Sequence, residues 1–374
     1  MSNPTIHEWK NRRIGEICEI LDSRRVPVNA TERNSRIGPY PYYGANGIQG
    51  YIDDYIFDEP TVLLAEDGGY FDEYASRPIA QYVSGRYWVN NHAHVLRGKS
   101  DTDTKWLFYS LVHKNILRFI NGGTRAKLNQ SDLIEISVHQ PPLAEQQKIA
   151  EILTTVDEVI ENTETEISKL EDLKKATMNE LLTKGIGHTE FKETEIGRIP
   201  KSWEVKSLQE LCVLQRGHDL PTQNRVDGNV PIYGSNGIVG FHSTTDIEPN
   251  GVVTGRSGSI GDVYFVSGRY WPLNTTLYVV NFRGNDRRFV RMFLQNFRLE
   301  RFATGTGVPT LNRNDLHPLR IRVPPIREQE DIVTTVGAIE AQLDAMHRSL
   351  DSKKNMRNAL LSDLLTGKVR VKVN

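Results

Sequence analysis

Residues 141–153 read PPLAEQQKIAEIL and residues 324–333 read PPIREQEDIV. They open two long segments that match without a gap at an offset of 183. The first closes in ELLTKG (180–185) and the second in DLLTGK (363–368). Between Ala144 and Thr183 there is neither Gly nor Pro. Apolar residues fall at Ile149, Val156 and Leu170, and at Leu153, Ile160, Ile167 and Leu181. That is a repeat of seven split three and four, the signature of a helix burying one narrow seam. The later copy repeats it with Ile332, Ile339, Met346 and Leu360 beside Val336, Leu343, Leu350 and Leu364. The proline pairs set the helix starts, and Gly185 and Gly367 sit near the ends. Forty residues at 1.5 Å each would span roughly 60 Å. So long a helix needs packing along its length. The spacing therefore predicts that helices 144–183 and 326–365 pack antiparallel on each other. The alternative is a surface helix laid on its own domain.

Working outward from these helices, the whole chain repeats. Trp9 and Cys18 return as Trp203 and Cys212, both 194 residues later. YYGANGIQGY (42–51) returns as IYGSNGIVGF (232–241), and SGRYW (84–88) as SGRYW (267–271). Order and register agree throughout, so the chain is a tandem duplication. The segments are a domain at 1–140, a helix at 141–185, a linker at 186–195, a second domain at 196–323, and a second helix with its tail at 324–374. Within each domain, short runs rich in β-branched and aromatic residues read as strands. They are Thr61–Ala65, Tyr87–Leu96 and Ile134–His139, then Gly251–Thr254, Asp262–Val266 and Leu277–Asn281. Lys105–Asn121 and Arg287–Thr304 carry helical spacing. The mixture predicts an α+β fold: two similar domains in pseudo-twofold tandem, separated by two long antiparallel, coiled-coil-like helices.

At 374 residues, with 38% hydrophobic and 25% charged, the chain is too long for one typical domain and too apolar for disorder. No run of eighteen apolar residues occurs, and MSNPTIHEWKNRR lacks the apolar core of a signal peptide, so a cytosolic protein is expected. Two cysteines exclude a disulfide framework and a Cys-based zinc site. The net charge of −1 excludes a polybasic binder, but its distribution is uneven. Residues 1–140 carry 16 basic and 17 acidic groups, residues 196–323 carry 16 and 10, and residues 143–184 carry 5 and 10. The second domain is thus suited to a polyanion, and the acidic helix is not.

Two similar domains joined by paired helices make a ruler, and a ruler suits a repeated target. Twofold DNA readers match their half-sites to the helical repeat. Here the copies differ, so the target is expected to be bipartite and not palindromic. The chain resembles the specificity subunit of a type I restriction–modification system over essentially its whole length. The resemblance rests on the two Pro-Pro-hydrophobic-x-Glu-Gln helix openings and the LLTKG and LLTGK closings. It implies target-recognition domains that read double-stranded DNA. It also implies assembly with two modification (methyltransferase) subunits, which methylate adenine N6 with S-adenosylmethionine, and with restriction subunits that use ATP and Mg²⁺. No cofactor is expected on this chain. A methyltransferase-only, type IIB or phage-exclusion system sharing these domains is the alternative.

The residues agree on what is missing. There is no G-x-x-x-x-G-K-[ST] loop, no Asn/Asp-Pro-Pro-aromatic segment and no H-E-x-x-H or zinc deaminase pattern. The chain alone is expected to be non-catalytic. A stand-alone nuclease built on Asp53-Asp54 or Asp72-Glu73 is disfavoured, because neither pair recurs in the second copy.

Candidate DNA contacts come from loops. Asn46-Gly47 and Asn236-Gly237 are type I′ turn dipeptides, read either as framework or as a close approach to DNA. Glu66, in Ala65-Glu66-Asp67-Gly68, stands where the second copy has Gly255-Arg256-Ser257-Gly258. Arg256 suits bidentate pairing with guanine and Glu66 suits cytosine N4, with Ser257 a further candidate contact beside Arg256. A loop salt bridge competes with both readings. Asn91 and His92 align with Asn274 and Thr275. His92 and His94 would share a strand face, but without a third ligand no metal site is expected. Arg125, Lys127 and Arg313 lie in glycine-rich stretches and suit phosphate contact or solvated charge. Asp132 and Asp315 are expected to brace the turn into the last strand. Trp88 and Trp271 read as core or platform aromatics, and Cys18 and Cys212 as buried thiols.

Overall fold

The computed structural model describes residues 9–122, 126–305 and 307–373. The chain divides into two compact units: Met1–Glu164 with Ser349–Asn374, and Thr165–Arg348. Both long helices, Leu143–Lys184 and Ile326–Leu365, begin in one unit and end in the other. The sequence pictured the helices as separate spacers. Each unit instead owns half of each helix, because the seam also packs on the domain cores. Ile149, Leu153, Leu361 and Leu364 join Ile14, Leu64 and Trp106 in the first unit. Leu182, Ile332 and Val336 join Trp203, Leu277 and Phe289 in the second. The helices therefore do both things the sequence posed as alternatives.

Within each unit the two helix segments run antiparallel. In the first, Lys353 Nζ donates to Thr163 Oγ1 at 2.7 Å, Lys354 pairs with Glu164 at 2.7 Å, and Arg357 pairs with Asp157. In the second, Lys174 pairs with Glu340 at 2.8 Å, and His347 lies 3.9 Å from Glu171. Gly185 (φ +70°) and Gly367 (φ +73°) take the left-handed position that ends each helix without a Cβ clash.

The first domain is built on a four-stranded antiparallel sheet ordered Cys18–Ile20, Ala93–Gly98, Thr61–Ala65, Ala80–Val83. Thr61–Ala65 is buried on both faces, which explains its unbroken apolar run. A second sheet holds the hairpin Tyr40–Gly44/Gly47–Ile52, with Arg86–Val89 parallel to its inner strand. Helix Thr104–Leu111 packs beneath, its N-terminus capped by Asp103 accepting from the Trp106 N–H at 2.7 Å. The second domain repeats the plan with Val213–Arg216, Thr276–Asn281, Gly251–Gly255 and Val263–Val266. Its hairpin is Val230–Gly234/Gly237–His242 and its helix Arg287–Asn296, capped by Asp286.

Three expectations are corrected. Tyr87–Leu96 is two strands, Arg86–Val89 and Ala93–Gly98, because the Asn90 side chain accepts the His92 N–H at 2.8 Å and turns the chain. Helix 105–121 stops at Leu111, and helix 287–304 at Asn296. The last strand of the first domain is Ser137–Gln140, since the residues before it belong to the short helix Gln130–Leu133 and its exit. Asp132 does brace this turn, accepting from Asn121 (2.6 Å) and Asn129 (3.3 Å).

Candidate nucleic-acid interface

In the first unit three segments meet at one end of the central sheet: the loop after Thr61–Ala65, the turn before Ala93–Gly98, and Lys127–Leu128. The Glu66 N–H donates to His92 O (2.8 Å), and the Leu128 N–H donates to Glu66 O (2.7 Å). The Asn46 side-chain amide donates to Gly68 O at 2.9 Å, tying the hairpin to the loop. Asn46, Glu66, Asn91, His92 and Lys127 thus share one surface. The second unit repeats the lacing: Arg256 N–H to Thr275 O (2.8 Å), Ser257 N–H to Thr275 O (3.2 Å), and Leu311 N–H to Arg256 O (2.7 Å). Its hairpin closes on the loop, since a Cβ on Gly255 would lie 3.2 Å from Ser235 O. Asn236, Arg256, Ser257, Asn274 and Thr275 are therefore together. Arg313 is not among them. It begins the short helix Arg313–Leu316 and lines a different pocket with Ser207, Gln209 and His317. Arg125 lies outside the described residues.

The main chain is shared; the side chains are not. Arg25 Nη1 lies 2.6 Å from Glu66, and Lys127 Nζ lies 3.2 Å from it. Arg25 also reaches Asp22 at 3.4 Å. His94 Nδ1 meets Asp22 Oδ2 at 2.6 Å and its Nε2 meets Leu128 O at 2.9 Å, so both ring nitrogens face acceptors. Glu66 is 13% exposed and His94 2%. Asp22, Glu66 and His94 place ligand-type atoms within 4.8 Å of one another, and Arg25 supplies the positive charge among them. His92 turns away to Asp67 at 2.7 Å, so the two histidines do not converge.

The second unit reverses the signs. Arg216 and Asp219 stand where Asp22 and Arg25 stood and pair at 3.4 Å, and Asn274 Nδ2 donates to Asp219. Leu277 replaces His94 and Thr310 replaces Lys127. Arg256 is half-buried, and among the described residues its guanidinium makes no hydrogen bond or ion pair. Its five N–H donors are free for a ligand. Sequence reasoning passed over Asp22 and Arg25, and weighed His94 only as a partner of His92. The signal was available in the exchange of Asp22/Arg25 for Arg216/Asp219 between aligned copies.

The Glu-Gln pair of each helix opening also finds its physical reason. Gln146 donates to Asp101 O and Pro141 O and accepts the Asp103 N–H (2.8 Å), binding the long helix to the cap of Thr104–Leu111. Gln329 does the same with Asn285, Pro324 and the Asp286 N–H (3.0 Å). Glu145 accepts the Trp9 indole N–H (3.1 Å) and a two-pronged Arg370 (2.6 and 2.7 Å). Glu328 accepts the Trp203 indole N–H (2.8 Å) and sits 2.7 Å from His188. Arg370 follows its LLT closing by four residues and His188 follows its own by five.

The hairpin turns depart from type I′. Asn46 and Asn236 keep negative φ, while Gly47 (φ +123°) and Gly237 (φ +99°) take the positive angle, as in a three-residue loop ending in glycine. Trp88 is buried, its indole donating to Val26 O, and Trp271 is half-buried. Burial pushes the Cys18 and Cys212 thiols up to about 12, as suits inert core thiols.

Comparison with known proteins follows the same outline. The family model for the type I restriction modification DNA specificity domain matches twice, at residues 6–172 and 200–352. The chain is 26% identical over 362 residues to a Haemophilus influenzae protein assigned to the type I restriction enzyme specificity subunits, covering 92% of this chain and 90% of that protein. It is 24% identical over 409 residues to a type I restriction enzyme specificity subunit of Methanocaldococcus jannaschii, covering 98% and 94%. The crystal structure of the S subunit of a type I restriction–modification system from M. genitalium shares the fold. Its TM-score is 0.64 at 18% identity, and 98% of each chain is covered. With the domain matched in both halves, the chain belongs to the type I restriction–modification DNA specificity family.

Proposed function

We propose that this chain is the non-catalytic specificity subunit of a type I restriction–modification enzyme. In this reading each unit reads one half-site of a bipartite duplex, and the two helices hold the half-sites at a fixed separation. The observation that carries it is the loop framework presented twice with different side chains. A shared main-chain path positions whatever the loop displays, and the displayed residues determine which base is read. Arg256, held at its backbone and free at its guanidinium, is suited to the O6/N7 edge of guanine. Glu66, already engaged with Arg25 and Lys127, supports the loop that carries Asp67 and the turn that carries His92.

The partners follow from what the chain lacks. Its net charge is −1, so it neutralises few phosphates alone. Modification subunits would supply positive surface, S-adenosylmethionine and the chemistry on adenine. Restriction subunits would supply ATP- and Mg²⁺-dependent work. Glu158 and Glu161 are exposed on the first long helix and offer carboxylates to a basic partner. No helix among the described residues is long and apolar enough to cross a membrane.

The test is a map of methylated adenines in the host genome, with the chain present and deleted. The reading expects a motif of two short specific halves, separated by a fixed unspecified gap, that disappears with the chain. A continuous motif, or one that survives deletion, would overturn it.

A further inference from the structure

The exposed strand of each hairpin carries a glycine with φ +153°, Gly50 in the first unit and Gly240 in the second. A Cβ on Gly50 would lie 3.3 Å from Arg33 Nε, and a Cβ on Gly240 would lie 3.2 Å from Arg225 Nη1. Glycine thus leaves one side of a guanidinium uncovered at the same place in both units. The two arginines are not equivalent in sequence. Aligning PYYG (41–44) with PIYG (231–234) sets Arg33 opposite Gln223 and Arg225 opposite Ser35. Two different segments, the helix Ala30–Ser35 and the stretch after Thr222–Asn224, deliver the same group to the same spot.

Neither guanidinium has a carboxylate partner among the described residues. Glu32 and Asp53 are taken by Arg36, at 3.6 and 2.9 Å. Most arginines around it are paired: Arg24 and Arg97 with Glu59, Arg25 with Glu66, Arg86 with Asp58. Arg33 is instead placed by its stacking 4.8 Å over the Tyr42 ring and a 3.5 Å contact to Val28 O. Arg225 is held by Leu220 O (3.4 Å) and Val239 O (3.5 Å). Both are half-buried and aimed by backbone carbonyls, Arg33 also by the Tyr42 ring face, and neither has a carboxylate partner among the described residues.

We infer that Arg33 and Arg225 are equivalent anion-binding points, each holding one phosphodiester of the DNA flanking its half-site. The inference rests on the proposed function. The base-reading side chains beside these points differ between the units, so a ligand they share must be independent of sequence, as the DNA backbone is. Gly50 lies three residues along its strand from Gly47, and the turn there bonds to the recognition loop through Asn46. Three residues span about 10 Å, close to three base-pair steps at roughly 3.4 Å each. A guanidinium binds a phosphate through paired N–H donors, so each contact fixes register as well as adding affinity.

The test uses the chain assembled with its modification subunits, titrated across a salt series with two duplexes. One duplex carries the methylated motif of the host, and the other, of equal length, lacks it. In the Arg33→Gln/Arg225→Gln variant both affinities should fall by the same factor, roughly tenfold or more per contact. The log–log salt slope should flatten by about two. The target preference should be unchanged, and Arg33→Lys/Arg225→Lys should restore the slope. An unchanged slope in the folded, assembled Gln variant would overturn the inference. So would a change confined to target preference, or a loss traced to weaker assembly, which would mark the ligand as a partner carboxylate. A wild-type assembly that prefers no duplex would bring down the functional reading as well, which separates the two failures.

Discussion

The loops at 65–68 and 255–258 follow the same backbone path, yet their central side chains have opposite fates. Glu66 is enclosed by Arg25 and Lys127, beside a His94 whose ring nitrogens both face acceptors. Arg256 has none of these partners, because Arg25 has become Asp219 and that carboxylate serves Arg216 and Asn274. A duplicated framework therefore keeps what is independent of side chain, the N–H···O lacing, and varies what the lacing presents. Which residue is available to a ligand is decided by the charges around it more than by its own type.

The largest effect that tests this division concerns the helices. Four residues inserted near Thr163 add about 6 Å, one turn, and keep nearly the same face on the seam. The unspecified gap of the target should lengthen by about two base pairs while both half-sites stay the same. An unchanged gap in a folded variant would sink the ruler.

The loop comparison itself is sharpened by two substitutions. Arg256→Gln should relax base preference at one position of one half-site by about 1–3 kcal/mol, read by competition with single-base variants of the duplex. Glu66→Gln should leave base preference nearly intact. It should instead destabilise the first unit by about 1–3 kcal/mol, since Arg25 loses its closest carboxylate, read by denaturant unfolding. If the two variants behaved alike, the contrast between the loops would be wrong.

The duplication, the helix seam and the second helix, Ile326–Leu365, were legible because they depend on spacing alone. Thr61–Ala65 was legible because a fully buried strand leaves an unbroken apolar run. The break at Asn90 was hidden, because apolar residues flank it and a single side-chain hydrogen bond makes the turn. The stop at Leu111 was hidden too: His113 Nδ1 meets Tyr74 O at 2.8 Å, a partner 39 residues away that no local pattern reveals. Of the site, the loop positions could be found by aligning the copies. The enclosure of Glu66 could not, because Asp22, Arg25, His94 and Lys127 converge only through the sheet.

The helix-opening braces should behave as equals. Glu145→Gln weakens the Trp9 indole bond and the Arg370 contact, Glu328→Gln weakens the Trp203 indole bond and the His188 contact, and each should cost about 1–3 kcal/mol of stability. A loss in only one of the two variants, seen by hydrogen exchange in the unit that carries the substitution, would break the equivalence of Arg370 and His188.

The smallest effect is a pH difference. Burial, with Arg313 nearby, holds His317 below its ordinary 6.5, and its Nε2 accepts the Leu214 N–H at 3.0 Å. The neutral ring is the folded form. Its contribution is present above about 6.5 and fades as the pH falls through the lowered value. Ile134 holds the matching place in the first unit. Hydrogen exchange between pH 7 and 5 should show the second unit loosening around Val213–Arg216, and His317→Asn should flatten that dependence. Equal loosening of both units would contradict it.

The central claim, that each unit reads its half-site independently, is tested most directly by exchange. Residues 196–323 are replaced by the corresponding region of a relative, and the methylated motif is read across the host genome. The account predicts that one half of the motif changes while the other half and the gap persist. A change in both halves would contradict it.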